Sequence, residues 1–185
     1  MILGFAKSQD SVTDLLSIPG PIDFNGTELL LNWSKQSSKT LVMQQYLPAD
    51  EEIDDFTEML SFSYFNKEIE MELAVRQKVA AVQKLAETDK FAKVNVTESP
   101  DGTEYIVDYT ASNDTDENNP FVEYDVYRFK SFDNAGAKSF LILSYTKRIL
   151  GDDFKGAYKS LTRQRDEILT AMISYKIPQI TLINQ

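Results

Sequence analysis

The sequence predicts an α+β domain, a largely antiparallel sheet with two long helices packed against it. Three observations carry that expectation. Residues 92–98 and 103–111 alternate apolar and polar side chains on either side of Pro100, Asp101 and Gly102, which is the pattern of a hairpin. Residues 121–132 and 137–149 repeat the pattern across a turn at 133–136. Residues 151–176 place Phe154, Tyr158, Leu161, Ile168, Met172 and Tyr175 on one helical face, with Arg165 at its edge. Short connections between strands make sheet neighbours antiparallel.

From the N-terminus, "MILGFA" is an apolar run, and Ala6 and Ser8 before Gln9 satisfy the small-x-small rule of a signal cleavage site. Residues 1–8 are therefore expected to be the remnant of an export signal, without its basic n-region and most of its apolar stretch. Residues 9–27 carry Pro19, Gly20, Pro21 and Gly26 and read as an extended lead-in, with a short helical turn at 12–16. Residues 28–185 form a single domain, a size that buries a sufficient core without disulfides or metal. Within it, 28–36 and 39–47 are strands joined across Ser37 and Ser38. Pro48 ends the second, and the acidic run 50–55 is expected to open a short helix at about 53–60. Phe62, Tyr64 and Phe65 leave strand and helix both open. From Lys67 the spacing of Ile69, Leu73, Val75, Val79 and Val82 predicts a helix. Residues 112–120 are a polar loop, and Pro178 closes the last helix before a short terminal strand or tail.

The residue inventory excludes several functions. A net charge of −10 opposes binding to a phosphate backbone or to anionic lipid. No run approaches the ~20 apolar residues of a membrane span. The absence of Cys and His removes thiol chemistry, Cys or His zinc sites and the Ser-His-Asp triad. Carboxylate pairs, Lys, Tyr and Ser-Lys pairs remain. Ser34-Lys35 and Ser38-Lys39 are strand neighbours, whose side chains point to opposite faces. Asp114, Asp116 and Asn118 open like a calcium loop, but the sixth position is Asn119 rather than Gly and the twelfth is Asp125 rather than Glu. No catalytic residue, cofactor-binding residue or metal ligand is assigned, and no cofactor is expected.

The aromatic residues carry the remaining signal. Trp33, Tyr64, Phe65, Tyr124, Tyr127 and Phe129 are the candidate partner surface. On 121–132 aromatic residues fall on both faces, so that strand either lies between two layers or offers one face to a partner.

The pattern "W…YLP…DDFTEML", followed by a helix, two hairpins and a long helix over residues 28–175, resembles small exported bacterial proteins of uncharacterised family, as found in Bacteroidota. In outline it is similar to the PsbP/Mog1-like α-β-α fold. That resemblance implies a non-catalytic binding or assembly role. The function expected is a non-enzymatic periplasmic binding or accessory protein with a protein partner, such as an outer-membrane transport or secretion complex. The alternatives are a small-molecule or lipid carrier with an apolar pocket between sheet and helices, and a hydrolase built on carboxylates alone. The export reading makes one prediction: N-terminal sequencing of protein from its native cell should start at or near Gln9. Recovery with Met1 intact would refute it.

Overall fold

The computed structural model describes residues 12–134 and 136–183, so the expected signal remnant lies outside the described residues. Eight strands form one sheet: β1 (Ile22–Phe24), β2 (Thr27–Ser38), β3 (Leu41–Pro48), β4 (Glu58–Phe65), β5 (Lys93–Glu98), β6 (Glu104–Asn113), β7 (Phe121–Asn134) and β8 (Ala137–Leu150). Their order is β1-β2-β3-β4-β8-β7-β6-β5, and each neighbouring pair is antiparallel. Two helices accompany the sheet among the described residues, α1 (Met71–Leu85) and α2 (Phe154–Ser174).

This corrects the expected fold class. Of the described residues 44 % are strand and 21 % helix, and the sheet curves into a half-barrel, so the architecture is sheet-dominated rather than an even α+β. Two local features account for the difference. Phe62, Tyr64 and Phe65 belong to β4, a strand that joins the two halves of the sheet by pairing with β3 and β8. The helix expected at 53–60 does not form. Glu51 instead accepts hydrogen bonds from the Thr57 backbone N–H (2.7 Å) and hydroxyl (2.6 Å), and this closes 51–57 into a loop. The first helix is also short, 15 residues beginning at Met71.

Alternation along the strands gives the sheet two faces. On one, α2 buries Ala157, Leu161, Ile168 and Met172 against Val122, Tyr124, Val126, Leu141, Leu143 and Tyr145. On the other, α1 sets Val75 against Val107, Phe129 and Phe140, and Val82 against Tyr109 and Ala111. Strand β7 is thus apolar on both sides because a helix covers each.

The lead-in packs on the α2 face. Its residues 15–17 bend irregularly in place of the helical turn expected at 12–16, and Leu15, Leu16 and Ile18 join the core. The buried Gln44 side chain accepts from the backbone N–H groups of Leu15 and Leu16, which have no strand partner to satisfy them. The tail reaches the same place, where Thr181 and Ile183 donate backbone hydrogen bonds to Leu16 and Leu15, each at 3.1 Å.

Charge completes the seating of α2. Arg165 makes a two-pronged pair with Asp108, at 2.8 and 3.0 Å. Arg128 donates to the Met172 and Tyr175 carbonyls, each at 3.0 Å, at the helix end where carbonyls lack intrahelical partners. Asp153 caps the other end by accepting from the Gly156 N–H at 2.9 Å. Because Leu161 and Ile168 have no exposure, Leu161→Ala or Ile168→Ala should each cost about 2–5 kcal/mol in denaturant melts of the free protein. Losses below about 1 kcal/mol at both positions would show that this face of α2 is not a core face.

Candidate functional site

Strand register defines what lies on the α1 face. One cross-strand row runs Trp33, Gln45, Ser61, Ser144, Tyr127, Val107, Val96. A second runs Lys35, Met43, Ser63, Ile142, Phe129, Tyr105, Glu98. Helix α1 packs on β5, β6 and β7 and so covers only one end of each row. The α1 cluster reaches Phe65 on β4 and Phe140 and Ile142 on β8; beyond them, among the described residues, no helix packs on the far ends of the rows.

That uncovered strip mixes half-buried Trp33, Met43 and Met59, with Ile142 at its border with the α1 cluster, and Gln45, Ser61, Ser63 and Ser144. The two rows carry no carboxylate on β2, β3, β4 or β8, in a chain with 29 Asp and Glu. The Ser61 hydroxyl lies on its floor with no hydrogen-bond partner among the described residues. The signal was present in the sequence: Ser61 and Ser63 alternate with Leu60, Phe62 and Tyr64, as a strand with one polar face requires.

The six residues expected to form a partner surface do not form one. Trp33 lies on the strip, and Tyr127 stands where the strip meets α1. Phe65 and Phe129 share that face but sit in the cluster around Val75, and Phe129 is only 1 % exposed. Tyr64 and Tyr124 point to the opposite face. Tyr124, also 1 % exposed, donates its hydroxyl to Asp108 at 3.1 Å. Tyr124 and Phe129 are therefore core, because each of the two helices covers one side of β7.

At the border of strip and helix lies an ionisable cluster that pattern reading did not single out. The Lys78 ammonium donates to the Tyr109 hydroxyl at 3.1 Å and sits 3.6 Å above the centre of the Tyr127 ring. The two tyrosine rings stack at 5.9 Å. Beneath them Asp125 is 3 % exposed; one of its oxygens accepts from the Thr146 hydroxyl at 2.6 Å. No group among the described residues donates to the other oxygen. Burial pushes the Asp125 carboxyl well above its ordinary range, and the neighbouring Glu123 charge adds to the effect. Burial lowers the Lys78 pKa, opposed by the Asp125 and Glu123 carboxylates. Glu123 is itself paired to Arg148 at 2.7 Å, and that guanidinium lies 3.9 Å from the centre of the Phe56 ring and 4.1 Å from that of Phe121.

The Lys78 ammonium already holds a hydrogen bond and a cation–π contact, and Asp125 lies out of reach of solvent. Between sheet and the middle of α2, where a carrier would hold its cargo, Leu161, Ile168 and Met172 fill the space with no exposure, and a small apolar pocket of about 150 Å³ opens at the helix end between Ile173, Ile106 and Arg128. A cleft of about 690 Å³ does open at the end of α1, beside Asp89, Phe91, Ser112, Asp114 and Phe154, with Phe91 and Phe154 stacked at 6.2 Å. Its Asp89 carboxylate is engaged by the Ser112 N–H (2.6 Å) and hydroxyl (2.8 Å) and by the Phe91 N–H (2.8 Å).

A protein-family model matches residues 16–177, and the chain belongs to that family, an uncharacterised one. No curated protein and no solved structure matches the chain.

The loop that opens like a calcium site is turned to local bonding. Asn113 accepts from the Thr115 N–H and hydroxyl, and Asp116 accepts from the Asn118 N–H at 3.0 Å. Among the described residues no group of three acidic side chains is placed to hold a metal ion. Millimolar calcium should therefore move the melting temperature by under roughly one degree, since tight binding to the folded state necessarily raises it. A saturable rise that Asp114→Ala abolishes would refute this.

Proposed function

We propose that the protein is a non-enzymatic binding or accessory protein that docks a protein partner on the uncovered strip of its α1 face. The observation that supports this reading is the row Trp33, Gln45, Ser61 and Ser144, which lies outside the cover of α1 and carries no carboxylate. A sheet face of this composition supplies apolar contact from Trp33, Met43, Met59 and Ile142, and hydrogen-bonding groups from Gln45, Ser63 and Ser144. Large aromatic and Met side chains with neutral polar neighbours are the composition enriched at interface centres, where charged residues are depleted. The filled space behind the middle of α2, with a pocket at its end of about 150 Å³ against the roughly 300–1,000 Å³ of ligand sites, favours binding at a surface over carriage of a ligand inside. With the export signal expected of residues 1–8 and the resemblance to exported bacterial proteins, the partner would be an envelope protein, and an outer-membrane transport or secretion complex fits that setting.

Site-specific photo-crosslinking in the native cell tests the docking face. A crosslinking residue placed at Ser63 or Met43 should give a discrete protein adduct. The same residue at Glu167, exposed on α2, should not. Equal adducts at all three positions, or an adduct at Glu167 alone, would overturn the reading. Trp33→Ala should weaken the Ser63 adduct while leaving the melting temperature within a few degrees of the parent, as expected for a half-buried residue outside the core clusters.

A further inference from the structure

The two helices are held to the sheet very unequally. Helix α2 buries four residues, carries a side-chain cap and is gripped by Arg128 and Arg165. Helix α1 buries only Val75 and Val82, has no side-chain cap at Glu70, and leaves Leu73 and Leu85 exposed. Met71, Ala74 and Val79 add partly buried contacts, and Lys78 reaches over Tyr109 and Tyr127 beside the buried Asp125.

We propose that Asp125 makes the docking of α1 pH-dependent, holding the helix most tightly in acid and loosening it as the solution becomes neutral. The geometry requires a penalty whenever Asp125 is ionised under a docked helix. One of its oxygens has the Thr146 hydroxyl; the other has no donor among the described residues. The groups that face it are Glu123 and Tyr127 on its own strand, Tyr109 on β6, Thr146 and Arg148 on β8, and Lys78 on α1. Glu123 is taken up by Arg148, and Lys78 by Tyr109 and Tyr127. Lifting α1 carries Lys78 into solvent and uncovers Asp125 to water, which relieves the desolvation of both.

The sign follows from linkage. Burial raises the Asp125 pKa above its ordinary 3.8, so the docked state holds that proton more tightly than the open state. Docking is strongest below 3.8 and weakens as the pH climbs from there, by up to about tenfold per unit, until the docked-state pKa is passed. Lys78 acts in the opposite sense. Burial lowers its pKa, so docking recovers only as the pH rises toward the ordinary lysine value of 10.5.

Hydrogen exchange of the intact chain tests this, with rates corrected for the intrinsic pH dependence of amide exchange. Between pH 3 and pH 8 the opening constant of the α1 amides should rise by at least about tenfold. The α2 amides around Leu161 and Ile168 should stay flat. Asp125→Asn keeps the shape and the Thr146 hydrogen bond and should flatten the α1 profile. Glu123→Gln should retain the rise. Lys78→Met should retain it too, without the alkaline recovery. A flat α1 profile in the parent would overturn the proposal, as would a persistent rise in Asp125→Asn. An equal rise in α2 would overturn it as well, since the opening would then be global.

Discussion

Asp108 is a carboxylate with no exposure, on the central part of β6, and the α2 face is arranged around its need for a counter-charge. A buried carboxylate left unpaired is costly enough to unfold a marginally stable domain. Arg165 answers it with a two-pronged contact, Tyr124 adds a hydroxyl, and Asn95 an amide N–H at 3.3 Å. That pairing fixes where along the sheet α2 must lie. With Arg165 so placed, Leu161, Ile168 and Met172 fall over Val122, Tyr124 and Val126, and the helix end reaches Arg128. The lead-in and the tail then close the rest of the face, with Gln44 supplying the hydrogen bonds that their irregular backbone lacks. A helix stripe of apolar residues interrupted by one arginine is thus a helix with its register specified.

The parts of the fold that were legible in the sequence are those decided by local pattern. The β5–β6 and β7–β8 hairpins follow from alternation and turn residues, and α2 from its spacing; all three stand in the structure within a few residues of expectation. The parts that were not legible depend on partners far away in sequence. Phe62, Tyr64 and Phe65 become a strand because β8 pairs along them residue for residue, and no local signal reports a strand 80 positions downstream. The acidic run 50–55 has the composition of a helix start but lacks a following apolar stripe, and Glu51 spends its carboxylate on Thr57 instead. Leu15, Leu16 and Ile18 enter the core without any period, so pattern reading treats them as connection. The weight given to helices followed in part from the helix expected at 53–60, which took Glu58, Met59 and Leu60 from β4, and from leaving Phe62, Tyr64 and Phe65 open.

The candidate site shows the same division. Aromatic residues stand out in a sequence, and Trp33 and Tyr127 do border the strip. Burial, which depends on what packs above, removes Tyr124 and Phe129 from any surface. The more informative residues are plain ones. Serines at 61, 63 and 144 are unremarkable singly, and only the register that aligns Ser61 with Ser144 makes them a polar row beside Met43 and Met59. Lys78 and Asp125 lie 47 positions apart, and neither belongs to a motif. Their proximity is a product of α1 crossing β6 and β7.

The unequal seating of the two helices sets the order in which the molecule can open. Local opening follows the weakest attachments, and elements that move in function are drawn from that end of the scale. Here the weaker helix is also the one that borders the uncovered strip. Its displacement would extend the row Trp33, Gln45, Ser61, Ser144 onward through Tyr127 and Val107, and would turn a four-strand face into one running the width of the sheet. The α2 face could not do the same, because freeing α2 exposes Asp108 together with the whole main core. A partner that needs a broader platform than the strip therefore has only one route to it. That route passes over the buried carboxyl of Asp125.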